Sequence, residues 1–166
     1  VLAVEDSRFF KHFGIDPIAI ARAAKNDIVS LSFKEGGSTI TQQLAKNFYF
    51  TNDKSFVRKV AEMFIAFDLE KSYDKETILE LYLNSIYFGE GCYCVYDASM
   101  SYFHKPPKEI YDFESTLLAG IPNAPSVYSL KENPNLAYKR QKIVLEKMVR
   151  KKIITQEQAE EILNTK

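Results

Sequence analysis

Apolar residues in this chain recur at helical spacing, and few runs alternate with the period of two that a half-buried strand requires. Glycine and proline cut the periodic stretches at Glu35-Gly36-Gly37, Gly89-Glu90-Gly91, Pro106-Pro107 and Ile121-Pro122-Asn123-Ala124-Pro125. Helical segments joined by such breaks predict an irregular all-α globule with little or no sheet.

The segments can be placed from their end signals. Asp16-Pro17 starts a helix, with Asp as cap and Pro in the first turn, and it should end near Ser30 to Ser32. Ile20, Ala23, Ala24, Asp27 and Ile28 fall mostly on one side of it. Ser38 or Thr39 can cap a second helix running toward Asn47. Thr51-Asn52-Asp53 reads as a turn, and Ser55 caps a long helix from about Phe56 to Lys71, with Val60, Met63, Phe64 and Phe67 as its apolar positions. Asp74 caps the next, whose buried stripe is Ile78, Leu79, Tyr82, Leu83 and Ile86. Further helices fit Val95 to Phe103, Glu114 to Gly120, Pro134 to Lys152 and Gln156 to Leu163. The last carries a Thr155–Gln158 capping box.

The 166 residues suit one domain. Basic and acidic residues balance at 22 each, so net charge points to no nucleic-acid partner. Their distribution is uneven. Lys139, Arg140, Lys142, Lys147, Arg150, Lys151 and Lys152 face a single acid, Glu146, and read either as a solvated helix face or as contact with an anionic membrane surface. Cys92 and Cys94 are too close for an easy disulfide, and no second pair completes a zinc site, so both read as free thiols. No apolar run is long enough to span a bilayer. The chain opens on Val1, and is expected to be a piece of a larger protein whose anchor lies elsewhere.

Five segments carry residues suited to chemistry. Glu5-Asp6 sets two carboxylates beside Phe9, Phe10 and His12; such a carboxylate can serve as general base or acid, or belong to an acidic surface turn. Gly36-Gly37-Ser38-Thr39-Ile40-Thr41-Gln42-Gln43-Leu44-Ala45-Lys46-Asn47 could hold an anion at a helix start, with Lys46 and Gln43 about a turn apart, or be a capped helix with a polar face. Arg58 and Glu62, four apart, form an ion pair or put a phosphate-binding fork beside a carboxylate. Lys75 to Asn84 reads as a structural helix. Pro122 to Tyr128 holds Asn123 and Ser126 in a proline-braced loop.

In order, these segments match E-D-x-x-F-x-x-H-x-G, G-G-S-T-I-T-Q-Q-x-x-K-N, R-K-x-x-E, K-x-x-I-L-E-x-Y-L-N and N-A-P-S-x-Y. The series resembles that of the family 51 peptidoglycan glycosyltransferases, from Val4 to Glu161. These include monofunctional enzymes and the amino-terminal domains of class A penicillin-binding proteins. The resemblance implies an all-α fold with a lysozyme-like large lobe and a smaller membrane-associated jaw lobe. The jaw is expected around Phe48, Tyr49, Phe50 and Phe56. It implies polymerisation of lipid II into β-1,4-linked glycan with inversion and release of undecaprenyl pyrophosphate, at the extracytoplasmic face of the bacterial cell membrane. Glu5 is then the general base and Glu62 the second carboxylate. Gln43, Lys46, Lys54, Arg58 and Asn123 hold the donor pyrophosphate or sugar, and Asp6, Ser38, Thr41, Gln42, Asn47 and Ser126 line the same cleft. A divalent cation (Mg or Mn) is expected to help, with no organic cofactor. Expected partners are the growing glycan strand, a fused transpeptidase domain and cell-wall synthesis proteins.

Some positions depart from the family pattern. Lys54 stands where Arg is frequent, Ala61 where Lys often precedes the second glutamate, and Cys94 and His104 where glycine is usual. Two rival readings stay open. One is a lysozyme-like hydrolase or lytic transglycosylase acting on finished glycan. The other is a catalytically silent domain at the membrane.

Overall fold

The computed structural model describes residues 1–30, 37–50 and 55–165. Among them the secondary structure is helical apart from one isolated bridge between Phe13 and Ile15. The α-helices are α1 (Leu2–Glu5), α2 (Pro17–Ser30), α3 (Ile40–Tyr49), α4 (Phe56–Ser72), α5 (Lys75–Leu83), α6 (Val95–Phe103), α7 (Asp112–Gly120), α8 (Pro134–Arg150) and α9 (Gln156–Asn164). Short 3₁₀ turns lie at Phe9–Lys11, Pro107–Glu109 and Ile121–Asn123. The Thr51-Asn52-Asp53 turn, Gly36 and Lys54 lie outside the described residues.

The chain divides into two compact units, Val1–Ser7 with Leu83–Lys166, and Arg8–Tyr82. In the second, α3 packs chiefly on α4. Its core is Phe9, Ala23, Ile40, Leu44, Ala45, Ala66, Leu69, Ile78 and Tyr82. Asp16 caps α2 by accepting from the Ile18 and Ala19 amides at 3.0 and 3.1 Å, and receives Arg8 Nε at 3.0 Å. Burial pushes its carboxyl up, but the Ala19 amide, Arg8, the Ile18 amide and His12 together hold it below the usual carboxylate range.

Gly14 fixes this unit at one close approach. Its φ is +78°, and a Cβ there would stand 3.2 Å from the backbone carbon and oxygen of Ala66 on α4. Its carbonyl accepts the Thr39 hydroxyl at 2.6 Å. Gly37 does the same for α2, since a Cβ there would meet the Cα of Ile20 at 3.3 Å. Two predicted stripes are corrected. The buried side of α4 is Glu62, Ala66 and Leu69, while Phe64 is 66% exposed. On α2, Ala23 is buried while Ile20 and Ala24 are exposed.

In the first unit, α7 and α8 form the main packing, joined by α1, α6 and α9. Leu117, Leu118, Ile121, Ala137, Val144 and Leu145 make its centre. α8 ends at Arg150, two residues before the predicted Lys152. Its basic run is not uniformly solvated. Arg140 is buried, its guanidinium carbon 5.6 Å from the Tyr128 ring centre, and Lys147 Nζ reaches the Val4 carbonyl at 3.5 Å. Cys92 and Cys94 are free thiols, as expected. His104 ends α6 at φ +57°, in the left-handed conformation that glycine adopts without strain.

Candidate active site

In the Arg8–Tyr82 unit the site is built around Glu62. Its side chain is only 2% exposed, yet both oxygens are met by charge. Arg58 NH1 donates to Oε1, and Lys59 Nζ donates to Oε2 at 2.8 Å. The same ammonium also donates to the Ser38 hydroxyl at 2.8 Å, which joins the start of α3 to α4. The Ser55 hydroxyl caps α4 by accepting from the Arg58 amide at 3.1 Å, so the cap also fixes the turn that carries Arg58. The i,i+4 pair is therefore present, and it forms one half of a three-residue cluster.

Lys59 is the member that residue-by-residue reading missed. Its signal was the i,i+3 spacing to Glu62, which puts both on neighbouring positions of one helix face. A buried carboxylate held by two part-exposed cations is an electropositive surface that a phosphate could share.

α3 carries the other predicted residues. Thr39 and Gln42 form a capping box: the Gln42 amide donates to Thr39 Oγ1 at 3.1 Å and the Thr39 amide to Gln42 Oε1 at 3.0 Å. Both are buried, so Gln42 works inside the fold at this end of the helix. Thr41 is fully buried and donates its hydroxyl to Glu70. Gln43, part-exposed, accepts from the Tyr82 hydroxyl at 3.0 Å. Lys46 is part-exposed and Asn47 exposed. Thus Ser38, Arg58, Lys59 and Glu62 come together, while Thr41 and Gln42 are turned to support.

The Val1–Ser7 and Leu83–Lys166 unit holds the remaining candidates. Glu5 ends α1 and is part-exposed; Asp6, the C-cap, is buried. Asn123 and Ser126 are both exposed on the loop after α7. That loop is pinned from beneath. A Cβ at Gly89 would stand 3.2 Å from the Pro125 carbonyl, Ser129 donates to Glu90 at 2.7 Å, and Arg140 lies under Tyr128. Tyr102 donates to the Phe88 carbonyl at 2.9 Å; burial, then the neighbouring Cys92 and Glu90, push its phenol up to about 12, which keeps it a donor.

Among the described residues no three His, Cys, Asp or Glu side chains gather as a metal site. Glu62 already receives two cationic donors, so this carboxylate does not fit a divalent cation. Apolar surface is also exposed. Phe56 is 83% exposed, and Phe48 and Tyr49 about half. Among the described residues no helix is long and apolar enough to cross a membrane.

Residues 1–149 match the family described as Transglycosylase. The chain is 45% identical over 164 residues to penicillin-binding protein 1A of Neisseria gonorrhoeae, covering 99% of this chain and 21% of that protein. It is 48% identical over 144 residues to penicillin-binding protein 1F of Bacillus subtilis (strain 168), covering 87% and 20%. A penicillin-binding protein 1A of Aquifex aeolicus (strain VF5) is 45% identical over 163 residues, covering 98% and 22%. The chain spans about a fifth of the length of the relatives it matches.

Proposed function

Since the chain belongs to the transglycosylase family, the peptidoglycan glycosyltransferases, we propose that it polymerises lipid II into β-1,4-linked glycan. The growing strand is the donor and lipid II the acceptor. Glu5 takes the proton from the acceptor 4-hydroxyl, whose oxygen attacks the donor anomeric carbon. The bond from that carbon to the pyrophosphate oxygen breaks, the anomeric centre inverts, and undecaprenyl pyrophosphate leaves.

A pyrophosphate leaving group needs positive charge more than it needs a proton. Arg58, Lys59 and Lys46 supply it, and Glu62 holds the first two in place until the phosphate draws on them. By the family pattern Gln43 and Asn123 offer amide groups to the donor, and Ser38, Asn47 and Ser126 line the cleft. Thr41 acts through the Glu70 carboxylate and Gln42 through the Thr39 cap it closes, and Asp6 keeps its place from the family pattern. Lys54, outside the described residues, keeps its role from the family pattern. No step is assigned to a divalent cation. The exposed Phe48, Tyr49 and Phe56 suit the jaw and a lipid surface, in keeping with work at the extracytoplasmic face of the membrane. A fused transpeptidase domain fits the greater length of the relatives.

The observation that carries this reading is the buried Glu62 gripped by Arg58 and Lys59, a cationic cluster that a hydrolase acting on neutral finished glycan does not need. The test incubates the protein with labelled lipid II in detergent, beside a Glu5→Gln control. Long glycan from wild type alone is expected. Equal product from Glu5→Gln would refute the base, and sugar released from purified sacculi without consumption of lipid II would favour hydrolysis.

A further inference from the structure

Glu70 lies eight residues beyond Glu62 on α4, and its side chain is 3% exposed. One oxygen, Oε1, accepts two donors, the Thr41 hydroxyl at 2.6 Å and the Lys75 ammonium at 2.7 Å. That ammonium also stands 4.3 Å over the centre of the buried Phe9 ring. Three helices of the Arg8–Tyr82 unit, α3, α4 and the start of α5, therefore meet on one carboxylate, and the Phe9 turn joins them through the Lys75 ammonium.

A buried ion pair is a poor source of stability, because well-packed apolar side chains of similar volume often do as well or better. What a satisfied polar network does supply is geometry, since each bond holds at one distance and one direction. Thr41 is two residues before Gln43 and five before Lys46 on α3; Glu70 is on the helix that carries Arg58, Lys59 and Glu62. The bond between them fixes the rotation and the axial position of α3 against α4.

We propose that Glu70, with Thr41 and Lys75, is a positioning network for the transfer reaction, setting Gln43 and Lys46 against the Arg58–Lys59–Glu62 cluster so that all act on one pyrophosphate. This rests on the reading given above. None of the three touches substrate.

The test compares Thr41→Val with Thr41→Ser, and Lys75→Met with Lys75→Arg, at a temperature well below every melt. With lipid II as substrate, Thr41→Val is expected to lower kcat by about tenfold to a hundredfold with KM within about twofold, because misplacement of about 1 Å is enough. Thr41→Ser, which keeps the hydroxyl, should recover most of it, and Lys75→Arg should outperform Lys75→Met. Calorimetric titration with inorganic pyrophosphate gives a reading independent of turnover. It should weaken about tenfold in Thr41→Val and return in Thr41→Ser. Wild-type rates and wild-type pyrophosphate affinity in folded Thr41→Val would overturn the network. So would a Ser variant no better than Val. An inactive wild type whose pyrophosphate affinity still follows this order would count against the polymerase and leave the network standing.

Discussion

Gly14→Ala tests how the second unit is closed. Two terms oppose an added methyl. The left-handed backbone at φ +78° costs an L-residue about 1–2 kcal/mol. The methyl would also stand 3.2 Å from the Ala66 carbonyl group and 3.3 Å from a Phe67 ring carbon. The Ala66 atoms belong to the middle of α4, whose own hydrogen bonds keep them from moving aside, and overpacking of this kind costs about 1–3 kcal/mol. The sum is about 2–5 kcal/mol, or a fall in Tm of roughly 5–15 °C for a chain of this size. Gly91 supplies the control. Its φ is +77°, but a Cβ there meets nothing within 4 Å, so Gly91→Ala should pay the backbone term alone. Urea and thermal unfolding of both variants beside wild type give the contact term as their difference, expected at about 1–3 kcal/mol. Equal losses in the two variants would refute the tight approach of Gly14 to α4.

Four further outcomes are expected. Glu62→Gln should lower kcat by about a hundredfold or more while Tm moves by less than about 5 °C, because the part-exposed Lys59 regains solvent; lipid II turnover and a melt check both. His104→Gly should stabilise by about 1 kcal/mol by relieving the left-handed residue at the end of α6, visible as a higher urea midpoint. Asp16→Asn keeps the cap acceptor but loses the Arg8 pair, and should cost about 1 kcal/mol at neutral pH. Because the folded carboxyl titrates below its ordinary value of 3.8, that contribution is complete above the ordinary value and vanishes as pH falls through the folded one, so the gap between variant and wild type should close on acidification in urea melts. Gly120→Ala should destabilise by about 1–3 kcal/mol in thermal melts, since its Cβ would stand 2.9 Å from Arg140 Cγ, in a side chain that is itself buried.

Helix ends were the most legible feature, because they are set by local chemistry. Asp16, Ser55 and Thr155 cap where the sequence places them, and α6 runs from Val95 to Phe103 as predicted. Buried faces were less so. On α4 the pattern of Val60, Met63, Phe64 and Phe67 draws the eye to apolar residues, yet the inward side includes Glu62, whose charge is met by Arg58 and Lys59. Hydrophobicity along one helix cannot register partners that cancel a charge. The motifs on α3 were visible as motifs, but division of labour within them was not. Thr41, Gln42 and Gln43 point in different directions around the helix, and what each meets there, Glu70, the Thr39 cap or Tyr82, belongs to the fold and not to the motif.

Glu62 shares its side of α4 with Ala66 and Leu69, so the buried carboxylate and the core are written on one helical phase. Adding or deleting a single residue between Glu62 and Ala66 would rotate the carboxylate against the core residues by about 100°. Either Glu62 would leave the Lys59 ammonium that ties it to Ser38, or Ala66 would leave its close approach to Gly14. The length of this stretch is therefore as constrained as its composition, and insertions should be tolerated in this chain anywhere on the surface sooner than here.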